Sequence, residues 1–309
     1  MTNWLVGAYG PEMDGTAVGI TRLRSRADGS LAPVEGFLIE APSPAFLARA
    51  NGKLYAALEG EGMVLVDGKK YSSGGVWPCH IGVYGDDVVV ANYFEGNLGL
   101  LSGQVIEPEP GSGPFARQSG PRAHSTVQLA PGVIAKADLG ADRIDILSLA
   151  DGVLAPISAV PLPSGTGPRD LLVSSGVLYI LGEYGLSVTI AEWVDGALRL
   201  LDEVPLPGAV EGDAAAALAL GGGYLYAGLR GSNQIAVLTV AADGRALEGV
   251  TSVSSAGNWP RHLVFDDGVV HVANQLSNDV ASFSVGADGI PSLIADPTFV
   301  ASPTYLLRD

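Results

Sequence analysis

The sequence predicts an all-β chain folded as a seven-bladed β-propeller of four-stranded antiparallel blades, and three observations support this fold class. Short apolar segments rich in β-branched residues alternate with turns, several of them built on Asp-Gly. One sequence unit recurs with a period of about 44 residues, the length of a propeller blade. No segment carries the pattern of a long amphipathic helix.

Each repeated unit begins with a short apolar inner strand, which a tight turn joins to a second strand. A polar corner, a third strand and a glycine-containing hairpin complete the unit, as in residues 168–196 and 260–289. We align the units on their first position, which is a proline in five of the seven: Pro44, Pro78, His124, Pro168, Ala215, Pro260 and Pro303. The unit from Pro44 to Pro78 is the shortest, so we expect its outermost strand to be reduced.

The last unit begins too near the end of the chain to hold four strands. We therefore expect residues 3–31 to supply the outer strands of the blade that Pro303 begins. Closure by both ends of the chain hides the edge strands that would otherwise favour aggregation. This arrangement predicts a single propeller domain over residues 1–309.

The composition excludes several classes of function. The chain has 17 Lys and Arg residues against 33 Asp and Glu, a net charge of −16, which argues against nucleic acid or an anionic membrane as partner. It has neither a long apolar span nor a signal-peptide pattern, so we expect a cytoplasmic protein, either a monomer or a weak homo-oligomer. With one cysteine, Cys79, and four scattered histidines, we expect no disulfide, metal site or cofactor.

The repeat register identifies candidate site residues, because equivalent positions in the blades form rings around one axis. Two rings are expected to face the same mouth of the central channel. The ring at the start of the inner strand comprises Ala45, Cys79, Ser125, Arg169, Ala216, Arg261 and Thr304, with His124 directly before Ser125. The ring that follows the second strand comprises Glu59, Tyr93, Leu139, Glu183, Arg230 and Gln275.

These rings hold three arginines, with His124 and Glu183 alongside, in a chain that has only 17 basic residues. Arg169, Arg230 and Arg261 indicate recognition of an anion, since a guanidinium pairs bidentately with phosphate or carboxylate. His124 and Glu183 are candidate proton-transfer groups. We therefore predict a small anionic ligand, bound at one mouth of the channel.

The remaining candidates are assigned to substrate contact. They lie on the two rings or directly beside them: Arg261, Gln275, Tyr93 and His80.

Structural interpretations of the same residues stay open. Arg169 and Arg261 can bond carbonyls or acidic groups of a neighbouring blade, and Glu183 can serve only to pair with an arginine. His124 can be a hydrogen-bonded channel histidine, and His80 can be structural. The pair Cys79-His80 is a poor metal site, because adjacent residues point to opposite faces of a strand.

Several motifs together resemble the seven-bladed propeller lactonase family, which contains bacterial propeller-type 6-phosphogluconolactonases and fungal carboxymuconate lactonizing enzymes. The resemblance is densest over residues 78–285 and rests on 91–97 (ANYFEGN), 124–125 (HS), 137–144 (ADLGADRI), 165–169 (GTGPR), 225–231 (LYAGLRG), 259–262 (WPRH) and 272–275 (VANQ). It implies a metal-independent pocket on the channel axis, built from a histidine, two arginines and a glutamate. Those roles fall on His124, Arg169, Glu183 and Arg230.

The resemblance implies a lactonase, a carboxylic-ester hydrolase whose expected substrate is 6-phospho-D-glucono-1,5-lactone of the pentose phosphate route. Glu183 or His124 would activate water, one of Arg169 and Arg230 would stabilise the oxyanion, and the other would hold the phosphate. A carboxymuconate-type cycloisomerase and a non-catalytic binding propeller are the alternatives. Asp170, where the family commonly has histidine, and the alanine run 214–217 depart from the family pattern and bear on the substrate.

Overall fold

The computed structural model describes residues 2–309, which form seven antiparallel sheets. Short 3₁₀ turns at Pro11–Met13 and Ala116–Gln118 are the helical segments within that range. No helix in the described chain is long or apolar enough to cross a membrane. Contacts between Cα atoms divide the chain into two compact units. One comprises residues 2–47, Val204–Ala242 and Ala246–Asp309, and the other comprises Ala48–Glu203 with Asp243–Arg245.

The second unit holds four of the sheets, numbered here in chain order, with the strands of each sheet also paired in chain order. The units divide after Leu47, within the first strand of sheet 1, and after Glu203, within the fourth strand of sheet 4. The strands of these sheets are, for sheet 1, Pro44–Ala50, Lys53–Leu58, Met63–Val66 and Lys69–Ser72; for sheet 2, Pro78–Tyr84, Asp87–Asn92, Leu98–Leu100 and Val105–Ile106; for sheet 3, Ala123–Ala130, Val133–Asp138, Arg143–Ala150 and Val153–Pro161; and for sheet 4, Pro168–Ser174, Val177–Gly182, Ser187–Val194 and Ala197–Pro205.

The first unit holds the other three sheets. Their strands are, for sheet 5, Ala214–Gly221, Tyr224–Arg230, Gln234–Val240 and Leu247–Ser254; for sheet 6, Pro260–Asp266, Val269–Asn274, Asp279–Val285 and the split outer strand Pro291–Leu293 and Thr298–Phe299; and for the terminal sheet, Pro303–Arg308, Asn3–Ala8, Gly19–Ser25 and Leu31–Glu40. The terminal sheet confirms that the two ends of the chain complete one blade-like sheet. Its outer strands reach Glu40 rather than ending at Leu31.

The expected reduction of the outermost strand of sheet 1 is confirmed, because that strand has four residues. Sheet 2 is reduced further, to a two-residue fourth strand, which the length of its unit did not predict. The extra residues form the segment 107–122, where Pro108, Pro110 and Pro114 prevent ladder pairing. The 3₁₀ turn Ala116–Gln118 lies in this segment.

Every first strand whose pairing is resolved carries a β-bulge close to its start. In sheet 4, Pro168 pairs with Gly182 and Asp170 with Leu181, so Arg169 is left outside the register. The same shift leaves one residue outside the register in sheets 2, 3 and 6 and in the terminal sheet: Cys79, His124, Arg261 and Thr304. In sheet 5 the irregularity falls between Ala215 and Leu218.

The bulge corrects the alignment of the third unit. Ala123 pairs with Asp138 as Pro168 pairs with Gly182, so Ala123 takes the proline position. His124 is therefore the ring residue equivalent to Arg169, and the assignment of Ser125 to that ring was wrong. Ser125 lies inside the pairing register and is buried. The error arose because this unit lacks the proline on which the others were aligned.

A recurring hydrogen bond fixes the residue before the first strand of three sheets. The side-chain oxygens of Asp142, Asn233 and Asn278 accept from the backbone N–H groups of residues 167, 259 and 302 at 2.7, 2.8 and 2.8 Å. The three accepting residues have left-handed backbone conformations, which Asn and Asp tolerate better than most residues. Sheets 3, 5 and 6 thereby each hold the entry to the sheet that follows in the chain.

Apolar side chains fill the space between neighbouring sheets within each unit. Ile144 and Ile146 of sheet 3 pack with Leu178 and Ile180 of sheet 4. Other buried clusters join sheet 2 to sheet 3, sheet 5 to sheet 6, and sheet 6 to the terminal sheet. Packing between neighbouring sheets therefore removes these apolar side chains from water, which stabilises the fold.

The buried His271 predicts a loss of stability in acid. Its Nδ1 lies 2.9 Å from Ser282 Oγ and its ring meets Trp4 edge-on at 4.9 Å, and burial lowers its pKa from 6.5 to about 4. Above pH 6.5 the imidazole is neutral in both states and contributes no pH dependence. Between pH 6.5 and 4 only the unfolded chain takes up the proton, so we expect the free energy of unfolding to fall by up to about 1.4 kcal/mol per pH unit from this residue.

Urea unfolding at about pH 7.5 and pH 5 measures that loss, with His271→Gln as the comparison. The variant is expected to be less stable at pH 7.5 but to lose less stability than the wild type on acidification. Equal losses in both proteins would show that His271 is not the group responsible.

Candidate functional site

The second unit brings together Arg169 and Glu183, two of the residues proposed for catalysis. Arg169 Nε lies 2.8 Å from Glu183 Oε2, and both side chains are more than nine-tenths buried. The N–H bond of Nε is not aligned with that oxygen, so the contact is an ion pair rather than a directed hydrogen bond. A buried pair of this kind requires both partners, because removing either leaves an uncompensated charge.

The loop before Arg169 is held by a single carboxylate. Asp142 Oδ1 accepts from Gln118 Nε2 at 2.6 Å and from the backbone N–H of Gly167 at 2.7 Å, and Oδ2 accepts from the N–H of Gly165 at 2.6 Å. Asp142 and Gln118 are both buried. Three short hydrogen bonds to one carboxylate leave this loop little freedom, and they fix the backbone that leads into the bulge residue Arg169.

Gly167 has to be glycine in this arrangement. Its φ of +57° lies in the left-handed region, and a Cβ atom would lie 2.5 Å from the ring of Tyr184. Its carbonyl accepts from the backbone N–H of Glu183 at 2.8 Å. The glycine thus joins the start of the first strand to the residue that follows the second strand, where Arg169 and Glu183 lie.

Tyr93 and His124 form a second pair in the same unit. Their rings meet edge-to-face, with centroids 5.9 Å apart. Burial raises the pKa of Tyr93, the negative charge of Glu183 raises it further, and Arg122 and Arg117 oppose the shift. Tyr93 is therefore a neutral phenol at neutral pH, and its ring lies within the electrostatic reach of the acidic group of the first pair.

His80 belongs to a polar network within sheets 2 and 3. Its Nδ1 lies 3.4 Å from Thr126 Oγ1, and Tyr84 donates to the same hydroxyl at 2.9 Å. Burial lowers the pKa of His80 to about 3, so the ring is uncharged at neutral pH. A neutral imidazole in this place can donate or accept a hydrogen bond but offers no positive charge to an anion.

The first unit brings together Arg261 and Gln275 with an aromatic residue that the sequence did not select. Arg261 Nη1 donates to Gln275 Oε1 at 3.4 Å, and its Nη2 donates to the hydroxyl of Tyr9. The guanidinium carbon lies 4.6 Å from the centre of the Tyr9 ring. These contacts orient Arg261 firmly.

Arg230, the fourth residue proposed for catalysis, is buried in the first unit at the end of a second strand. Its Nε and Nη2 each donate to a backbone carbonyl at 3.2 Å, those of Ala214 and Ala215. Its guanidinium lies 5.5 Å from the ring centre of Trp259. The alanine run that departs from the family pattern thus supplies the carbonyls that hold Arg230.

Two of the residues that shape these groups were missed from the sequence for identifiable reasons. Tyr9 follows the second strand of the terminal sheet and donates its backbone N–H to Ser302, as Glu183 does to Gly167. It was missed because the ring after the second strand was listed only for the six units whose first and second strands are consecutive in the sequence. In the terminal sheet the second strand lies at the start of the chain and the first strand at its end. Asp142 was not selected from the sequence, since only the fold shows that its side chain reaches the next sheet.

The metal-free expectation stays a prediction. Within residues 2–309, no three His, Cys, Asp or Glu side chains are arranged to hold a metal ion.

Comparison with known proteins supports the seven-bladed propeller fold. A family model described as lactonase, 7-bladed beta-propeller, matches residues 3–307. This match confirms the predicted fold class. Among curated proteins, the 6-phosphogluconolactonase of Bacillus subtilis (strain 168) is 29% identical over 233 residues, which are 67% of this chain and 65% of that protein. The chain therefore spans slightly less than two thirds of that relative's length.

Solved structures match over nearly the whole chain. The periplasmic gluconolactonase of Pseudomonas aeruginosa is 25% identical, with a TM-score of 0.88 over 99% of this chain and 98% of that one. A protein from Lactobacillus plantarum is also 25% identical, with a TM-score of 0.87 over 100% of this chain and 99% of that one.

Asp142 is expected to act as a positioning residue for Arg169. In Asp142→Asn one acceptor oxygen becomes an amide donor facing a donor, so we expect the free energy of unfolding to fall by about 1–3 kcal/mol. Asparagine tolerates the left-handed backbone at this position, so backbone strain does not contribute. Urea unfolding checks the loss.

Asp151→Asn is the matched control, since Asp151 is exposed and also left-handed at 51°. Its change should stay within about 0.5 kcal/mol. Equal stability of the two variants would mean that Asp142 does not anchor the loop.

Proposed function

We propose that the chain, which belongs to the seven-bladed β-propeller lactonase family, hydrolyses a sugar lactone. The substrate proposed is 6-phospho-D-glucono-1,5-lactone, which opens to 6-phosphogluconate, a step of the pentose phosphate pathway. Two of the named relatives support a sugar lactone, one as a 6-phosphogluconolactonase and one as a gluconolactonase. A single domain over residues 1–309 and a cytoplasmic location belong to this proposal.

The observation that carries the proposal is the buried ion pair of Arg169 and Glu183, beside a strand whose bulge presents His124. Arg169 and His124 occupy the same bulge position in sheets 4 and 3. Bulges are frequent next to active sites because they re-aim a side chain out of the sheet. A non-catalytic binding platform has no need for a proton-transfer group and an arginine–carboxylate pair at matched positions.

In the proposed reaction, water attacks the lactone carbonyl and the ring oxygen leaves as the new hydroxyl. We assign His124 as the general base, because a neutral imidazole nitrogen can accept the proton of the attacking water and Glu183 is already engaged with Arg169. Arg169 faces the oxyanion that develops on the carbonyl oxygen. The positive charge of its guanidinium stabilises the transition state. The proton that His124 gains is returned to the leaving ring oxygen.

Glu183 is assigned to hold the guanidinium of Arg169. A buried arginine without a carboxylate partner would be costly and mobile. With the partner present at 2.8 Å, the guanidinium is fixed before substrate arrives. Preorganised charge of this kind lowers a barrier without reorganisation during the reaction. Arg230 is kept in the catalytic set on the family resemblance, and its two carbonyl contacts limit it to one orientation.

The substitutions His124→Ala and Glu183→Gln test these roles. Loss of a proton-transfer group costs about 10²–10⁴-fold in rate, so we expect His124→Ala to lower kcat by that factor with a small change in KM. The acid limb of the profile of kcat/KM against pH should disappear in the same variant. Glu183→Gln should lower kcat and leave that limb in place.

The assay is acid release in a pH-stat, with the spontaneous hydrolysis of the lactone subtracted. Glu211→Gln makes the same chemical change at an exposed position and should behave as the wild type. Wild-type turnover in both His124→Ala and Glu183→Gln would exclude this catalytic centre. Absence of acceleration by the wild-type protein on any lactone would exclude the function.

A further inference from the structure

A cavity beside the candidate centre has not been assigned a role. It is lined by Trp77, Tyr93, Phe94, Arg117 and Arg122 and has a volume of about 270 Å³. We call it the arginine–aromatic pocket. Its size is near the lower end of the range of about 300–1,000 Å³ for small-molecule sites, which suits part of a ligand better than a whole one.

The charge of this pocket is unusual for the molecule. Two guanidinium groups line it and no carboxylate does. Within residues 2–309, neither Arg117 nor Arg122 lies within salt-bridge distance of a carboxylate, whereas Arg143 is paired with both Asp138 and Asp145. Glu95, which follows Phe94, accepts from the backbone N–H of Val76 at 2.6 Å.

Both arginines are carried on anchored backbone. Arg122 Nη1 donates to the carbonyls of Phe94 and Pro121 at 2.8 Å each, and its backbone N–H donates to Asp138 at 2.7 Å. Arg117 lies in the 3₁₀ turn beside Gln118, which is fully buried and bonds Leu139 O and Asp142 Oδ1. The guanidinium of Arg122 is therefore held in place before a ligand binds, and the turn that carries Arg117 is fixed, which lowers the entropic cost of binding.

Tyr93 joins this pocket to the candidate centre. Its ring lines the pocket and also meets His124 edge-to-face. The guanidinium of Arg122 lies 5.9 Å from the centre of the Tyr93 ring and 5.7 Å from that of Phe94. A sugar whose reacting carbonyl is near His124 can thus extend a second group past Tyr93 towards two arginines.

We propose that the arginine–aromatic pocket binds the phosphate of a phosphorylated sugar lactone. Arg117 and Arg122 donate to the phosphate oxygens, and Trp77 and Tyr93 flank the sugar. Arginine suits this role because its planar guanidinium can offer two parallel donors to a phosphate. The inference rests on the proposed lactonase function and moves the phosphate contact away from Arg169 and Arg230, one of which was expected from the sequence to hold the phosphate.

The experiment compares kcat/KM for 6-phospho-D-glucono-1,5-lactone and for glucono-1,5-lactone in Arg117→Gln, Arg122→Gln and the double variant. Each single substitution should lower the ratio of the two values about 10- to 100-fold, mainly through KM for the phosphorylated lactone. Arg199→Gln, which removes one exposed arginine elsewhere, should keep the wild-type ratio. An unchanged ratio in both single variants would overturn the proposal.

Two features keep the result interpretable. Arg122 also bonds backbone carbonyls, so its variant can lose stability, whereas Arg117→Gln removes no hydrogen bond of the described structure. Binding of 6-phosphogluconate and of gluconate by isothermal titration needs no turnover. If the protein hydrolyses neither lactone but binds 6-phosphogluconate more tightly than gluconate, and Arg117→Gln removes that preference, the proposed function fails and the pocket stands. Equal binding of the two acids would overturn the pocket.

Discussion

The extra residue near the start of the first strand, found in five of the sheets, is the constraint on which the site depends. In a regular strand, successive side chains point alternately to the two neighbouring sheets, and packing against those sheets buries them. The bulge inserts one residue that pairs with nothing, so its side chain is released from that alternation. His124, Arg169 and Arg261 occupy this position, and the packed residues on either side of them need not change.

The entry to each first strand has to be fixed for the bulge to place a side chain. Asp142, Asn233 and Asn278 do this with short bonds to the backbone of the following sheet. At sheet 4 the same carboxylate also holds Gln118 and so anchors the segment that carries Arg117. One buried aspartate thus fixes the backbone that leads to Arg169 and the turn that carries Arg117, at the edge of the arginine–aromatic pocket.

Much of this could be predicted from the sequence, because repeats carry their own register. Proline at the first position predicted where five of the seven first strands begin, and the unit count predicted the terminal sheet. The third unit was misaligned by one residue because Ala123 replaces proline, and a bulge leaves no mark on composition. Arg117 and Arg122 were not predicted at all, since they lie in a proline-rich segment that the repeat does not contain, and only the fold brings them to Tyr93.

A crystal structure with 6-phosphogluconate bound tests the central claim most directly, because the product carries the former lactone carbonyl as its carboxylate. We expect that carboxylate to contact Arg169, with His124 within hydrogen-bond distance of the same group. A carboxylate bound away from both residues would contradict the assignment of the hydrolytic centre, whatever the measured rates.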